Sequence, residues 1–537
     1  EIRAQIGKTL PKYMLPHCFT HLDTMPLTTS GKVNRKALPE IDLAIATSNT
    51  EYVLPKNQRQ KELCKLMEKV LGTSPVGITD SFFDLGGDSL KAIEFVSKAH
   101  SEGIYFNLQN VFDYPSVEEL SACIENGDRQ EHSFADRDFT AVNAILEKNQ
   151  TAYITAPKAE PVGNILLAGA TGYLGIHILS DFLDKDDGIA YCLVRGKDAT
   201  QSKQRLQELL TFYFGRKYED MCRIEVVCAD LQKELFGLAE QEYEALLRRV
   251  DTVINAAASV KHYGSYRYFY ESNVETVKRL IAFCNAANAK LIHTSTLSVS
   301  GNTFGDDFDG YISKTEKHFD ESSLYIGQPL ENVYARSKFE AELEVLEAMR
   351  QGLRANIMRM GNLSNRLSDG VFQKNHETNA ALRRITAILE LGCAPEYLMD
   401  IYAEFTPIDE AANAVMTLTR HFSSEQTVFH INSTKVVYMD RLLEYFNALG
   451  YPLKTVSGAE FTAALRETAK RTDMEHIFET FINDMDENEQ LNYDSNIRIE
   501  NDFTVQYLKN LGFAWSDIDL SYFKKYADYF KKVGYWA

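Results

Sequence analysis

The chain has 537 residues, too many for a single hydrophobic core, and its length predicts about two to four domains. A hydrophobic share of 45% and a charged share of 25% are those of a globular protein, and a net charge of −19 speaks against nucleic acid or an anionic membrane surface as the main partner. Eight cysteines are scattered with no CxxC pair, which predicts reduced thiols in a cytoplasmic protein and neither a disulfide frame nor a metal site. No apolar run has the length of a membrane span and no secretory signal is visible. The chain starts Glu1-Ile2-Arg3 without an initiator methionine, so it is expected to be a piece of something larger.

Residues 1–40 carry Pro26-Leu27-Thr28-Thr29-Ser30-Gly31-Lys32-Val33-Asn34-Arg35, a basic glycine-containing loop in a segment too short to build a site of its own. Residues 41–56 are polar and proline-bounded, and read as a linker. Across 57–127 apolar residues recur at helical spacing (Leu63, Leu66, Met67, Val70, Leu71), and a later helix runs through Val117, Leu120 and Ile124. Between them lies Phe82-Phe83-Asp84-Leu85-Gly86-Gly87-Asp88-Ser89-Leu90. Two glycines release the backbone there, and an amphipathic helix (Leu90, Ile93, Phe95, Val96) begins at Ser89. By itself the Gly-Gly-Asp-Ser tetrad reads as a helix cap. Residues 128–160 form a second linker with one short amphipathic helix (Phe139, Val142, Ile145, Leu146).

From residue 161 to 360 strand-like runs alternate with amphipathic stretches: Ile165–Ala168, Ala190–Val194, Ile224–Cys228, Thr252–Asn255, Leu291–Thr294 and Ala355–Met358. That alternation predicts a parallel, doubly wound α/β sheet. Residues 361–537 loosen into helices with occasional short strands. The first strand runs into Gly169-Ala170-Thr171-Gly172-Tyr173-Leu174-Gly175 and then a helix. Gly169 permits the turn, Gly172 the approach of a pyrophosphate, and Gly175 close helix–sheet packing; a free helix N-terminus then faces the anion. The second strand ends at Arg195, where a carboxylate would suit NAD, so Arg195 with Arg205 argues for the 2′-phosphate of NADPH. Asp230-Leu231 and Asn255-Ala256-Ala257 follow the third and fourth strands and are expected to flank the adenine and nicotinamide ends.

Tyr334-Ala335-Arg336-Ser337-Lys338 places a phenol and an ammonium one helical turn apart. Such a cation favours phenolate, so the tyrosine can exchange a proton near neutral pH. Tyr213 and Lys217 share the spacing without supporting context. Upstream, His293-Thr294-Ser295-Thr296 closes a strand, and the hydroxyl of Thr296, with Ser295 as rival, is placed to polarise a carbonyl oxygen.

Two resemblances gather these motifs. Residues 57–127, with the double Phe, Gly86-Gly87-Asp88-Ser89 and Asn110-Val111-Phe112-Asp113-Tyr114-Pro115-Ser116, resemble the carrier (thiolation) domain of nonribosomal peptide synthetases. The resemblance implies a 4′-phosphopantetheine arm on Ser89, added by a phosphopantetheinyl transferase. The loop around Lys32 resembles the last motif of adenylation domains. The glycine turn with Thr296, Tyr334 and Lys338 resembles the extended short-chain dehydrogenase/reductases, whose fold is Rossmann-like. Behind a carrier, that looks like a terminal thioester reductase with a largely helical C-terminal substrate subdomain.

That family implies NADPH as hydride donor and places Arg359-Met360-Gly361-Asn362-Leu363 at the nicotinamide end; many relatives have proline where Met360 stands. The implied partners are upstream synthetase domains and an acyl or peptidyl thioester on the chain's own carrier, released as an aldehyde or an alcohol. A cyclising, non-redox release domain is the rival reading, and its relatives lack the tyrosine found here at 334; an aminoadipate or carboxylic acid reductase fragment shares the same domain order. Along the last helix Tyr522, Phe523, Tyr526, Tyr529, Phe530 and Val533 form an apolar stripe beside lysines, read as core cover with carrier docking as the alternative.

Overall fold

The computed structural model describes residues 52–126 except 107, residues 134 and 137–147, and residues 158–536 except 261–263, 302–307, 310–311, 314–316, 331, 426, 469–470, 472–473, 482–484, 486–490 and 492–496. The expected tail at 1–40, with Lys32, lies outside the described residues, as do most of the two linkers. The chain divides into two compact units, Glu1–His132 and the remainder from Ser133 apart from Tyr263–Ser265.

The first unit is a bundle of α1 (Gln58–Leu71), α2 (Ser89–Ser101), α3 (Leu108–Asp113) and α4 (Val117–Asn126). Helix α1 starts on the Asn57 side chain and ends at Gly72, whose φ of 69° is the left-handed turn that glycine adopts without strain. Its core gathers Leu63, Met67, Phe82, Phe95, Val111 and Leu120. The Phe82 ring is why Gly87 is glycine: a Cβ there would stand 2.3 Å from it. Asp88, not Ser89, caps α2, its carboxylate accepting from Lys91 N at 2.9 Å. Ser89 is therefore the first helical residue, at the corner that the sequence predicts.

In the second unit α5 (Thr140–Leu146) buries Val142 and Leu146 in the main core, together with Phe139, which precedes the helix. The sheet then forms from β1 (Ile165–Ala168), β2 (Ala190–Val194), β3 (Ile224–Cys228), β4 (Thr252–Asn255), β5 (Lys290–Thr296), β6 (Ala355–Met360) and β7 (Val428–Ile431). The order is β7-β6-β5-β4-β1-β2-β3, every pairing parallel. Apart from the edge strand β3, the strands are buried throughout, and strands covered on both faces read as continuous apolar runs rather than alternating ones. The order reverses between β1 and β4, and open sheets of this kind bind ligands in the crevice at that reversal. The seventh strand comes from beyond residue 420, so the sheet extends past the expected 161–360 segment.

Helices α6 (Tyr173–Lys185) and α7 (Ala199–Phe214) share one face of the sheet with α8 (Ile408–Arg420). Helices α9 (Thr276–Ala287) and α10 (Val333–Arg350) cover the other. A separate core holds the C-terminal helices, among them α11 (Leu520–Lys532). Its Tyr522, Phe523, Tyr526 and Phe530 are buried there, which makes the apolar stripe core cover.

Candidate active site

The glycine turn follows β1. Gly169 has φ +84°, and a Cβ on it would lie 2.5 Å from the Ala256 backbone, so the loops after β1 and β4 pass in direct contact. A Cβ on Gly175 would stand 2.1 Å from the Gly169 carbonyl oxygen. Gly172 is exposed and opens α6 with no side-chain cap. That leaves the first N–H groups of α6 for an anion, the fit a pyrophosphate needs. Thr171 lies in the turn, while Tyr173 and Leu174 bring only their backbone to it. The Tyr173 hydroxyl donates to the Ser364 carbonyl at 2.9 Å, and Leu174 is buried in the core.

Arg195 is exposed just past β2, and Arg205 donates from Nη1 to the Arg195 carbonyl at 3.1 Å, which gathers the two arginines at one rim. Asp230 and Leu231 follow β3, with the Asp230 carboxylate accepting from Gln232 N. After β4, Ala256 N bonds Ala168 O at 2.9 Å and aligns the two loops. The Asn255 carboxamide is engaged at both ends: Oδ1 accepts from Ala257 N, and Nδ2 meets His293 Nδ1, each at 3.1 Å. Asn255 thus shapes the loop instead of offering its side chain to a ligand.

Across the crevice Asn332 caps α10, accepting from Tyr334 N and Ala335 N. Tyr334 is half-buried and hydrogen-bonded to Thr296, while the Ser295 hydroxyl is buried with no partner among the described residues. The structure therefore brings Thr296, and not its rival, to the phenol. Burial pushes the Tyr334 phenol up to about 12, with the Thr296 bond working the other way. Lys338 lies one turn along, buried, donating from Nζ to the Thr294 carbonyl at 2.6 Å. Burial lowers its ammonium to about 8, and the Glu342 carboxylate opposes that.

A family model described as Male sterility protein matches residues 167–415, and one described as Phosphopantetheine attachment site matches 61–124. The solved thiolation-reductase di-domain of an archaeal non-ribosomal peptide synthetase superposes with a TM-score of 0.79 at 30% identity, over 90% of this chain and 100% of its own. This chain belongs to the thiolation–reductase didomains. The reductase domain of the aureusimine biosynthetic cluster aligns at 25% identity with a TM-score of 0.61, over 74% of this chain and 98% of that one. A linear gramicidin synthase polypeptide of Brevibacillus parabrevis is 27% identical over 98% of this chain. The L-2-aminoadipate reductase large subunit of Candida glabrata is 25% identical over 87%. The chain spans 10% of the first and 36% of the second. The didomain thus joins a phosphopantetheine carrier to an NAD(P)H-dependent reductase of the extended short-chain type.

Three further features of the didomain's site need the tertiary structure. The loop after β6 is closely packed: a Cβ on Gly361 would fall 2.1 Å from Glu404 Oε1, and Asn362 N donates to that carboxylate at 3.1 Å. Asn362 is exposed and Leu363 half-buried. Arg359, expected at the nicotinamide end, is instead wholly buried in an ion pair with Glu342, so its guanidinium does not face the crevice. Tyr213 and Lys217 are structural, the phenol accepting from Lys374 N at 2.9 Å and the ammonium pairing with Asp184.

Asn273 escaped the sequence reading. It sits in the π-helical segment Tyr270–Glu275, its Nδ2 donating to Ser337 Oγ at 2.9 Å and its Oδ1 accepting from Ser259 N at 2.8 Å. It ties the Tyr334–Lys338 turn to the loop beyond β4. A lone asparagine in an amphipathic helix carries no local signal of that task.

Proposed function

We propose that this didomain holds an acyl or peptidyl thioester on a 4′-phosphopantetheine arm at Ser89 and releases it reductively with NADPH, as an aldehyde or, after a second reduction, an alcohol. The observation that carries the reading is the Thr296–Tyr334 hydrogen bond with buried Lys338 one turn below, across the crevice from an uncapped glycine-turn helix.

In this reading the backbone of Gly169–Gly175 holds the cofactor pyrophosphate, Arg195 and Arg205 hold the 2′-phosphate, and the loops at Asp230-Leu231, Asn255–Ala257 and Gly361–Leu363 line the remainder. Bound NADPH supplies a hydride to the thioester carbonyl carbon. Thr296 and Tyr334 donate hydrogen bonds to the carbonyl oxygen as it gains charge. A phenol held near 12 is protonated at neutral pH, so Tyr334 acts as proton donor, and the Lys338 cation stabilises the phenolate left behind. The thiol leaves on its arm. Tethering gives the acyl group a high effective concentration, so modest intrinsic affinity suffices. Upstream synthetase domains load the arm, a phosphopantetheinyl transferase installs it, and the setting is the cytoplasm.

The test loads Ser89 with an aminoacyl-pantetheine, adds NADPH deuterated at the transferring position, and weighs the product. One deuterium at the former carbonyl carbon means aldehyde and two mean alcohol. An unlabelled cyclised product formed equally well without NADPH overturns the reading in favour of non-redox release. A second reading, a fragment of an L-2-aminoadipate reductase, is favoured by the relative of that name, and competition among loaded acyl groups separates the two.

A further inference from the structure

Beneath the proposed proton donor runs a column of buried polar groups. Tyr334, Lys338 and Glu342 are spaced four apart along one face of α10. Glu342 and Arg359 are both fully buried and bonded by Nε and Nη2 of the guanidinium, the closest contact 2.8 Å. The rest of the guanidinium is equally constrained. Nη1 donates to the Ser323 carbonyl at 2.9 Å and to His430 Nε2 at 3.2 Å, and the Phe319 ring lies 4.8 Å away. His430 Nδ1 lies 2.6 Å from the Glu500 carbonyl, which can only accept, so Nε2 is the unprotonated nitrogen and accepts the Arg359 N–H.

Removing two charges from water costs more than a well-packed apolar pair of the same volume would, so stability alone does not account for this arrangement. Its position does. Lys338 is an ammonium buried next to a sheet, and such groups lose their proton unless an anion stands near. The groups facing it are the Thr294 carbonyl and His293 from β5, Tyr334 and Glu342 from its own helix, and, behind Glu342, Arg359 from β6. His293 is held neutral by burial, with its Nδ1 bonded to Asn255. Among the described residues, Glu342 is the one anion in that set.

We propose that Glu342 is a positioning residue for the reduction: its buried carboxylate, clamped by Arg359, is the counter-charge that keeps the Lys338 ammonium protonated beneath Tyr334. The inference rests on the reductase reading above. Arg359 has two effects, fixing the carboxylate in place and cancelling part of its field, so Lys338 keeps its proton near neutral pH without being locked charged.

The experiment measures kcat/KM against pH for NADPH-dependent reduction of an acyl-pantetheine by the full chain, in wild type, Glu342→Gln, Glu342→Asp and Lys338→Arg. Glu342→Gln preserves the shape and one acceptor but removes the charge, and its basic limb is expected to move down by about one pH unit. Glu342→Asp, which keeps the charge, is expected to restore the wild-type limb. In Lys338→Arg the cation no longer titrates, so adding Glu342→Gln is expected to produce no further shift. NADPH affinity and melting temperature are read on each variant. An unshifted limb in folded Glu342→Gln overturns the proposal, and so does a loss of rate that follows loss of folded protein equally at every pH. Failure of wild type to reduce the thioester overturns the reductase reading instead, and the two failures are distinct.

Discussion

Replacing Tyr334 by Phe isolates the proton-donating step from everything else the site does. The phenol stands near 12, so at pH 7 only about one molecule in 10⁵ carries phenolate, and the wild-type site holds its proton ready. Lys338, near 8, is about 90% protonated at the same pH, and that charge stays when the phenol is removed. Thr296 keeps its bond from Ser298 N at 3.2 Å, so the substitution orphans no buried group and is expected to change stability by less than about 1 kcal/mol. The glycine turn, Arg195 and Lys338 are untouched, and NADPH affinity should hold. What is lost is a positioned general acid, worth about 10²- to 10⁴-fold in kcat. The assay is single-turnover oxidation of NADPH with a soluble acyl-pantetheine at saturating cofactor, beside a cofactor-binding titration. A variant that binds NADPH normally and retains more than about a tenth of wild-type kcat would refute the assignment, because another group would then be delivering the proton.

Ser89→Ala is expected to abolish attachment of the pantetheine arm, measured by intact mass, while soluble surrogate is still reduced; Asp88 caps α2, so the bundle should keep its melting temperature. Arg195→Ala is expected to lower the NADPH-to-NADH ratio of kcat/KM by roughly tenfold to hundredfold, the worth of one charge-assisted contact, and an unchanged ratio removes Arg195 from the site. The Arg195 carbonyl that Arg205 grips survives that truncation. His430 is held neutral by burial, its value lowered to about 3 against about 6.5 unfolded, so the unfolded chain takes up a proton that the folded chain does not, and stability falls as pH drops below about 6.5. His430→Gln is expected to flatten that acid slope by about 1.4 kcal/mol per pH unit between about 6.5 and 3, read from denaturant melts; an unchanged slope places the proton uptake elsewhere.

What depends on near neighbours along the chain could be read directly from the residues. Gly169, Gly172 and Gly175 spell out a turn because Gly169 takes a positive φ and the tight contacts of Gly172 and Gly175 are with backbone atoms of that same loop, and β1–β6 announce themselves as apolar runs between amphipathic helices. Asp88 and Ser89 mark a helix start for the same reason, and Tyr334 with Lys338 share a face because a helix repeats every 3.6 residues. Folding then selected which groups those elements bring together from far apart. It chose Thr296 over Ser295 because Thr296 closes the strand and its hydroxyl meets Tyr334 there, while the Ser295 hydroxyl is buried with no partner among the described residues. It took Arg359 from the cofactor loop to pair with Glu342, and set Asn273 against Ser337. It tied Tyr173 to Ser364, and added Val428–Ile431 to the sheet edge. Each of those partnerships costs burial of polar groups and is stable only once both partners are folded around it, so neither partner's local sequence records the other.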